Sequence, residues 1–378
     1  MGASSAGRWE ETLREATMDR LQYDISEQML TREERSSFSS CLRHYGVDEA
    51  VWDIYESFLG SSSSVTRPSI MRAFQNGRLA GAAFFFICRA GGRTLFRNPL
   101  LAAAVNLTRM PSYIWFRQGI CADLGANPGF FADGSDGPSV LSGMIGHLRR
   151  KALSLFITDL ADNETRHPGA KRFPYVREGA VNVKGKRDIS EFVGEHGKLK
   201  RKLKTFSKKG GTVEVLKGAL DRETRKDLLR CVRSTMESSY FYAPYQDHFP
   251  VMIDRSCSIP SERLLSVIAR LDGAFAGYHT FLRTGKGMRM LHGAFDRSRD
   301  SLYHAYENII TRSAEHAIRE GLEAVYFGPI LNETKRRMMN MADKTAIFFT
   351  SSNPLVRSFL PALYSRSSMQ SAKLLEFS

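Results

Sequence analysis

The stretch "SVIARLDGAFAGYHTFLRTGKGMRML", Ser266 to Leu291, decides how the chain is read. Two apolar runs flank Asp272-Gly273, a pair that suits a tight hairpin because both positions tolerate positive φ. A further turn is signalled at Gly285–Gly287. Outward from it run a strand "MRMLHGAF", a polar loop "DRSRDS", a helix "LYHAYENIITRSAEHAIREG" and a strand "EAVYFGPI". The first half repeats this order. "SIMRAFQNGRLAGAAFFFIC" places two apolar runs around Asn76-Gly77, and a turn follows at Gly91-Gly92. Then come a strand "SYIWFRQGIC", a Gly-rich loop "GANPGFFADGSDGPS", a helix "VLSGMIGHLRRKA" and a strand "LSLFITDL". Gly77 aligns with Gly273 and Gly81 with Gly277 at one common offset, so the halves read as an internal duplication.

Ahead of the first unit, "EETLREATMDRLQYDISEQML" and "TREERSSFSSCLRHYG" carry helical spacing, the second opened by a Thr31/Glu34 capping box. "VDEAVWDIYESFLG" reads as another amphipathic helix ending at Gly60, with a Ser-rich loop after it.

Composition narrows the partners. The chain has 378 residues, 54 Lys and Arg against 40 Asp and Glu, and a net charge of +14. An excess of that size favours polyanions: tRNA, an acidic carrier protein, nucleotide phosphates or an anionic membrane. The five Cys form no C-x-x-C pair and are odd in number, which argues against a zinc site or disulfide framework and fits a reducing cytoplasm. The start "MGASSAGRWEE" lacks the apolar core of a signal peptide. The longest apolar run, Leu79–Cys88, is about half of what a membrane helix needs and reads as a buried strand.

The order strand, strand, strand, helix, strand resembles the GNAT acyltransferase fold. Two such units in tandem resemble the group holding the Fem-type peptidoglycan aminoacyltransferases and the BioF2-like acetyltransferase domain. "RLDGAFAGYHTFL", the core "LHGAFD…SLYHAYENII…HAIREGLEAVYFG" and "FGPILNETKRRM" (Phe327–Met338) carry the likeness, over roughly residues 50 to 350. The resemblance implies an α/β (α+β) protein of two GNAT-like units, each a mixed, mostly antiparallel sheet flanked by helices. The units are expected at residues 1–190 and 191–378, the second being the catalytic half.

Between them lies "FVGEHGKLKRKLKTFSKK", read as one amphipathic helix opening the second unit. Phe192, Leu199, Leu203 and Phe206 share a face, and Gly210-Gly211 ends the helix. Lys198, Lys200, Arg201, Lys202, Lys204, Lys208 and Lys209 are the candidate polyanion contacts.

The resemblance also implies where chemistry sits. In this fold the third and fourth strands splay apart, and the acyl donor enters the opening. A backbone N–H on the third strand holds the donor carbonyl as negative charge develops. Here Leu291, Gly293 and Ala294 would form that wall, Gly293 admitting the donor close to the backbone. Coenzyme-binding relatives open the next helix with a Gly-rich pyrophosphate loop. This sequence has none between Asp296 and His304, so Arg297 and Arg299 are the substitute phosphate contacts, with Tyr303 beside them. His292 is the candidate base, Tyr326 a proton donor or positioning group, and Glu333 and Lys335 follow in a turn into a helix. Tyr240, Tyr242 and Tyr245, in the aromatic "SSYFYAPYQDHFP", are the candidate acceptor contacts. No metal-ligand spacing, P-loop or nucleophile elbow is present.

The expected activity is N-acyl transfer by direct attack, from an acyl thioester to a small-molecule or peptide amine. The donor is coenzyme A or an acidic carrier protein, a co-substrate rather than a tightly bound cofactor. A second reading is an aminoacyl-tRNA-dependent, amide-forming transferase acting on a peptidoglycan precursor or small metabolite. A third is a non-catalytic repeat protein that binds tRNA or a membrane surface. DNA and a transmembrane segment are not expected.

Overall fold

A computed structural model of the chain describes residues 21–40, 66–88, 112–116, 130–132, 137–152, 154–161, 171–238, 249–257, 262–285, 287–296, 304–329 and 333–354, with a few single positions between them. The first half holds strands β1 (Leu21–Ser26), β2 (Thr66–Gln75), β3 (Arg78–Cys88), β4 (Ser112–Phe116), β5 (Phe130–Ala132), β6 (Ser154–Ala161) and β7 (Lys171–Asn182). Its helices are α1 (Arg32–Ser36) and α2 (Gly137–Lys151). Next come α3 (Ile189–Gly194), α4 (Leu199–Lys208), β8 (Gly211–Lys217), α5 (Arg222–Ser238) and α6 (Phe249–Ser256). The second set closes with β9 (Leu264–Leu271), β10 (Ala274–Thr284), β11 (Gly287–Phe295), α7 (Ala305–Arg319), β12 (Ala324–Pro329), α8 (Glu333–Met338) and β13 (Met341–Thr350).

All the described strands join one sheet in the order β1-β2-β3-β4-β6-β13-β7-β12-β11-β10-β9-β8, with β5 on β3. Read from its two ends, the order is the same. β1, β2, β3, β4 and β6 run inward from one edge; β8, β9, β10, β11 and β12 run inward from the other. The fourth and fifth strands of each set, β4 with β6 and β11 with β12, are parallel and joined across a helix, α2 or α7, as parallel neighbours require. Other neighbours are antiparallel. The two middle strands are exchanged: β7 pairs β12 of the second set, and β13 pairs β6 of the first. They also pair each other, from Met341↔Ala180 to Phe349↔Lys171.

The hairpin turns fall where the acidic-Gly and Asn-Gly signals stand. Asn76 and Gly77 have φ of 53° and 74°, and Asp272 and Gly273 have 48° and 75°, the positive pairs of a primed turn that matches strand twist. α1 carries the capping box, Thr31 accepting from the Glu34 amide while the Glu34 carboxylate accepts from the Thr31 amide.

Four expectations are corrected. Leu21–Ser26 is a strand, not helix: Tyr23 and Ile25 pack against the core formed by β2, β3 and α2, and Leu21 is buried, while the chain pairs β2. The Gly-rich loop contains β5, which pairs Gly81–Ala83 of β3. The basic segment is two helices, because the chain turns between Gly194 and Lys198, where the Leu199 amide reaches the His196 carbonyl at 2.7 Å. Phe192 therefore sits on α3 rather than α4, yet Phe192, Leu199 and Phe206 enter the same core. Strands β7 and β13 have no counterpart in the sequence reading.

Two cores sandwich the second set of strands. One lies under α3, α4 and α7 and includes Val267, Phe281, Phe295, Ile309, Ile310 and Phe327. The other lies under α5 and α6 and includes Leu228, Val232, Ile253, Phe275 and Tyr278. Among the described residues, no helix is long and apolar enough to cross a membrane.

Candidate active site

Strands β11 and β12 start together and part. Their ladder covers only Gly287↔Ala324, Met288↔Val325 and Arg289↔Tyr326. β11 runs on to Phe295 along β10, and β12 runs on to Pro329 along β7. Two local features drive them apart. Thr280 pairs His292 and Phe281 pairs Met290, so Leu291 is an extra residue, a bulge that bends and twists β11. On the other side Gly328 takes φ of 66° and Pro329 carries no N–H, so β12 leaves the regular ladder. In the first set, the described ladder between β4 and β6 runs from Ser112↔Ser154 to Phe116↔Thr158.

The bulge also decides which side chains face the opening. Met288 and Met290 pack towards α7, and plain alternation would send His292 the same way. With Leu291 inserted, Gly293 and Phe295 take the α7 side, and His292 and Ala294 turn to the α5–α6 side. There His292 is sealed in. Its Nδ1 lies 3.1 Å from the Tyr278 hydroxyl and its Nε2 2.9 Å from the Ser256 hydroxyl oxygen. Ser256 donates its own proton to the Ile253 carbonyl at 2.9 Å, so Nε2–H donates to Ser256 and Nδ1 accepts from Tyr278. Burial lowers the His292 pKa to about 3. The candidate base is thus a buried back-face histidine whose two ring nitrogens both have hydrogen-bond partners within the protein.

On the α7 side, Lys335 reaches from α8 into the start of the opening. It is 6% exposed, and its ammonium donates to the Phe327 carbonyl at the point where β12 leaves β11. Beside it stands His279 of β10, 3% exposed. The rings of Phe295, Tyr306, Phe327 and Phe281 surround it at centroid distances of 5.4, 5.5, 5.7 and 5.9 Å. Burial, then the Lys335 charge, then His292 hold the His279 pKa well below the usual histidine range. Gly293 pairs His279, and a Cβ there would come within 2.9 Å of His279 Nε2 and closer still to Cδ2. The glycine therefore makes room for this imidazole.

The remaining candidates divide. Leu291 is the bulge residue, and Ala294 packs on the back face. Tyr326 lies in the closed part of the ladder, where the Arg289 guanidinium covers its ring at 3.6 Å. Glu333 is the first residue of α8. Arg297, Arg299, Tyr303, Tyr240, Tyr242 and Tyr245 lie outside the described residues. Of the seven basic candidates, Lys198, Lys200, Arg201, Lys204, Lys208 and Lys209 are exposed around α4. Lys202 instead faces α7, its Nζ 2.5 Å from the buried Glu307 carboxylate, with His304 Nδ1 at 3.5 Å from the same oxygen. It is a structural cation, because a buried carboxylate needs a partner. Sequence reading missed His279. The available signal was a polar residue on the core-facing register of β10 opposite a glycine.

Residues 196–336 match the family model described as an acetyltransferase (GNAT) domain. No curated protein matches the chain in sequence. Among solved structures, L-PGS from Bacillus licheniformis is similar over 88% of this chain and 96% of its own, with 10% identity and a TM-score of 0.51. The C-terminal domain of a lysylphosphatidylglycerol synthetase from Agrobacterium fabrum is 13% identical over 89% of this chain and 96% of its own, TM-score 0.49. FemX is 11% identical over 89% of this chain and 99% of its own, TM-score 0.48. With its bulged strand, its half-open parallel pair and its crossover helix, the segment 196–336 is similar to the GNAT acetyltransferase domain whose model it matches.

Proposed function

We propose that the chain moves an acyl group from a thioester donor to an amine acceptor by direct attack, using the opening between β11 and β12. The observation that carries this reading is the bulged, half-open strand pair with Lys335 buried at its fork. Among the described residues, β11 has no strand partner beyond Arg289 on its β12 side, so its backbone N–H groups can meet a carbonyl oxygen there. The donor carbonyl would lie along Leu291–Ala294. Arg297 and Arg299 would take the phosphates of coenzyme A or of a carrier's prosthetic arm. Tyr303 would flank them, and Tyr240, Tyr242 and Tyr245 would cover the amine. In this reading Glu333 and Tyr326 border the site, and His292 holds the bulged strand from behind through Tyr278 and Ser256.

A second reading, an aminoacyl-tRNA donor, is favoured by the six exposed cations around α4. One experiment separates the two: the thermal midpoint of the purified protein with acetyl-coenzyme A or with bulk aminoacyl-tRNA, each across a salt series. A rise with the coenzyme supports the thioester donor. A rise with tRNA alone, fading steeply with salt, supports the second reading. No rise with either rejects both donors.

A further inference from the structure

Gly293 leaves a slot in the α7-facing surface of β11, and the His279 ring fills it from the neighbouring strand. The Cδ2–Nε2 side of the imidazole faces β11 at Gly293, and the Phe327 ring of β12 lies 5.7 Å from it. Nδ1 is buried with no hydrogen-bond partner. Among the described residues, none hydrogen-bonds either of its nitrogens, whereas both nitrogens of His292 are taken. Buried polar atoms almost always have partners, so an exception beside a candidate site points to a group supplied from outside the protein.

We propose that His279 is a catalytic residue that meets the reacting carbonyl, donating an imidazole N–H to the acyl oxygen as it gains negative charge. This rests on the acyl-transfer reading above. The amine nitrogen bonds to the carbonyl carbon, and the π pair moves onto the oxygen that His279 contacts. Collapse restores the C=O bond and breaks the C–S bond; the proton lost by nitrogen ends on the thiolate sulfur. His279 gives up no proton. An apolar box of four rings beside an ammonium suits that role, because it disfavours an imidazolium and strengthens a hydrogen bond to an oxyanion.

The test uses acetyl-coenzyme A labelled with carbon-13 at its carbonyl, bound to the full chain and read by isotope-edited infrared spectroscopy, with binding followed by calorimetry. The bound carbonyl stretch is expected to fall in frequency in the wild type. His279→Phe should lose most of that fall, and His279→Gln, which retains an N–H donor, should keep part of it. Circular dichroism confirms that each variant is folded. Coenzyme binding with the same band position in the wild type and in both variants overturns the role of His279 and leaves the donor reading intact. Failure of the wild type to bind acetyl-coenzyme A overturns the thioester reading and this inference with it.

Discussion

Gly293→Ala tests the His279 slot without any substrate. The new methyl would lie within 2.9 Å of His279 Nε2 and of the Tyr278 carbonyl oxygen, distances that real Cβ atoms do not show. The imidazole has four rings around it and little room to move. Overpacking of this kind costs about 1–3 kcal/mol. In a His279→Ala background the ring is gone, and only the Tyr278 carbonyl remains to be displaced. The cost of Gly293→Ala should therefore drop by about 1–2 kcal/mol in that background, a coupling typical of touching residues. Urea denaturation of the four proteins, compared at constant m-value, measures the cycle. Equal costs of Gly293→Ala in both backgrounds would show that the ring does not occupy the slot, and the reasoning on Gly293 would fail.

Lys202→Met should destabilise by roughly 2–3 kcal/mol, below the full range for a buried pair because Lys202 keeps 29% side-chain exposure; Lys200→Met should change stability by less than about 0.5 kcal/mol. Parallel denaturation curves check this, and similar losses for the two would refute the structural role of Lys202. His292 has its pKa lowered to about 3 from 6.5, so the neutral form is favoured in the folded state. Its contribution is complete above the unfolded value and is lost as pH falls towards the folded one. His292→Gln should accordingly remove about 1–2 kcal/mol of the stability loss between pH 6.5 and about pH 5, and a variant with the same pH dependence as the wild type would contradict the burial of a neutral ring. Reversing Lys200, Arg201 and Lys204 to Glu should weaken tRNA binding and lower its salt slope by about three while sparing acetyl-coenzyme A; unchanged tRNA affinity would dismiss α4 as the contact surface.

Local signals were legible in the sequence. The hairpins at Asn76-Gly77 and Asp272-Gly273, the capping box of α1 and the crossover helices rest on neighbours in the chain, and the sequence order of each set follows from them. Signals that depend on distant pairing were not. β7 carries Pro174, Arg172 and Arg177 and shows no clean alternation, because its partners come from β12 and β13. Leu21 and Ile25 fit both a helical and a strand period, and only pairing with β2 chooses between them. At the site, the opening and Lys335 lay within reach of the family resemblance. The orientation of His292 did not, since one extra residue at Leu291 reverses every side chain after it.

The exchanged strands have a consequence for how the protein acquires its structure. β6, Ser154–Ala161, keeps a bare edge until Met341–Thr350 has been synthesised and has travelled back to cover it. β7 finds both of its neighbours in β12 and β13. Sequence separations of this size raise the entropy of closing the sheet and slow its formation, and an uncovered strand edge invites pairing with other chains meanwhile. A chain cut between residues 190 and 191 would leave β7 and β13 each without either partner. Refolding should appear as one slow, late docking of the two middle strands, common to both halves.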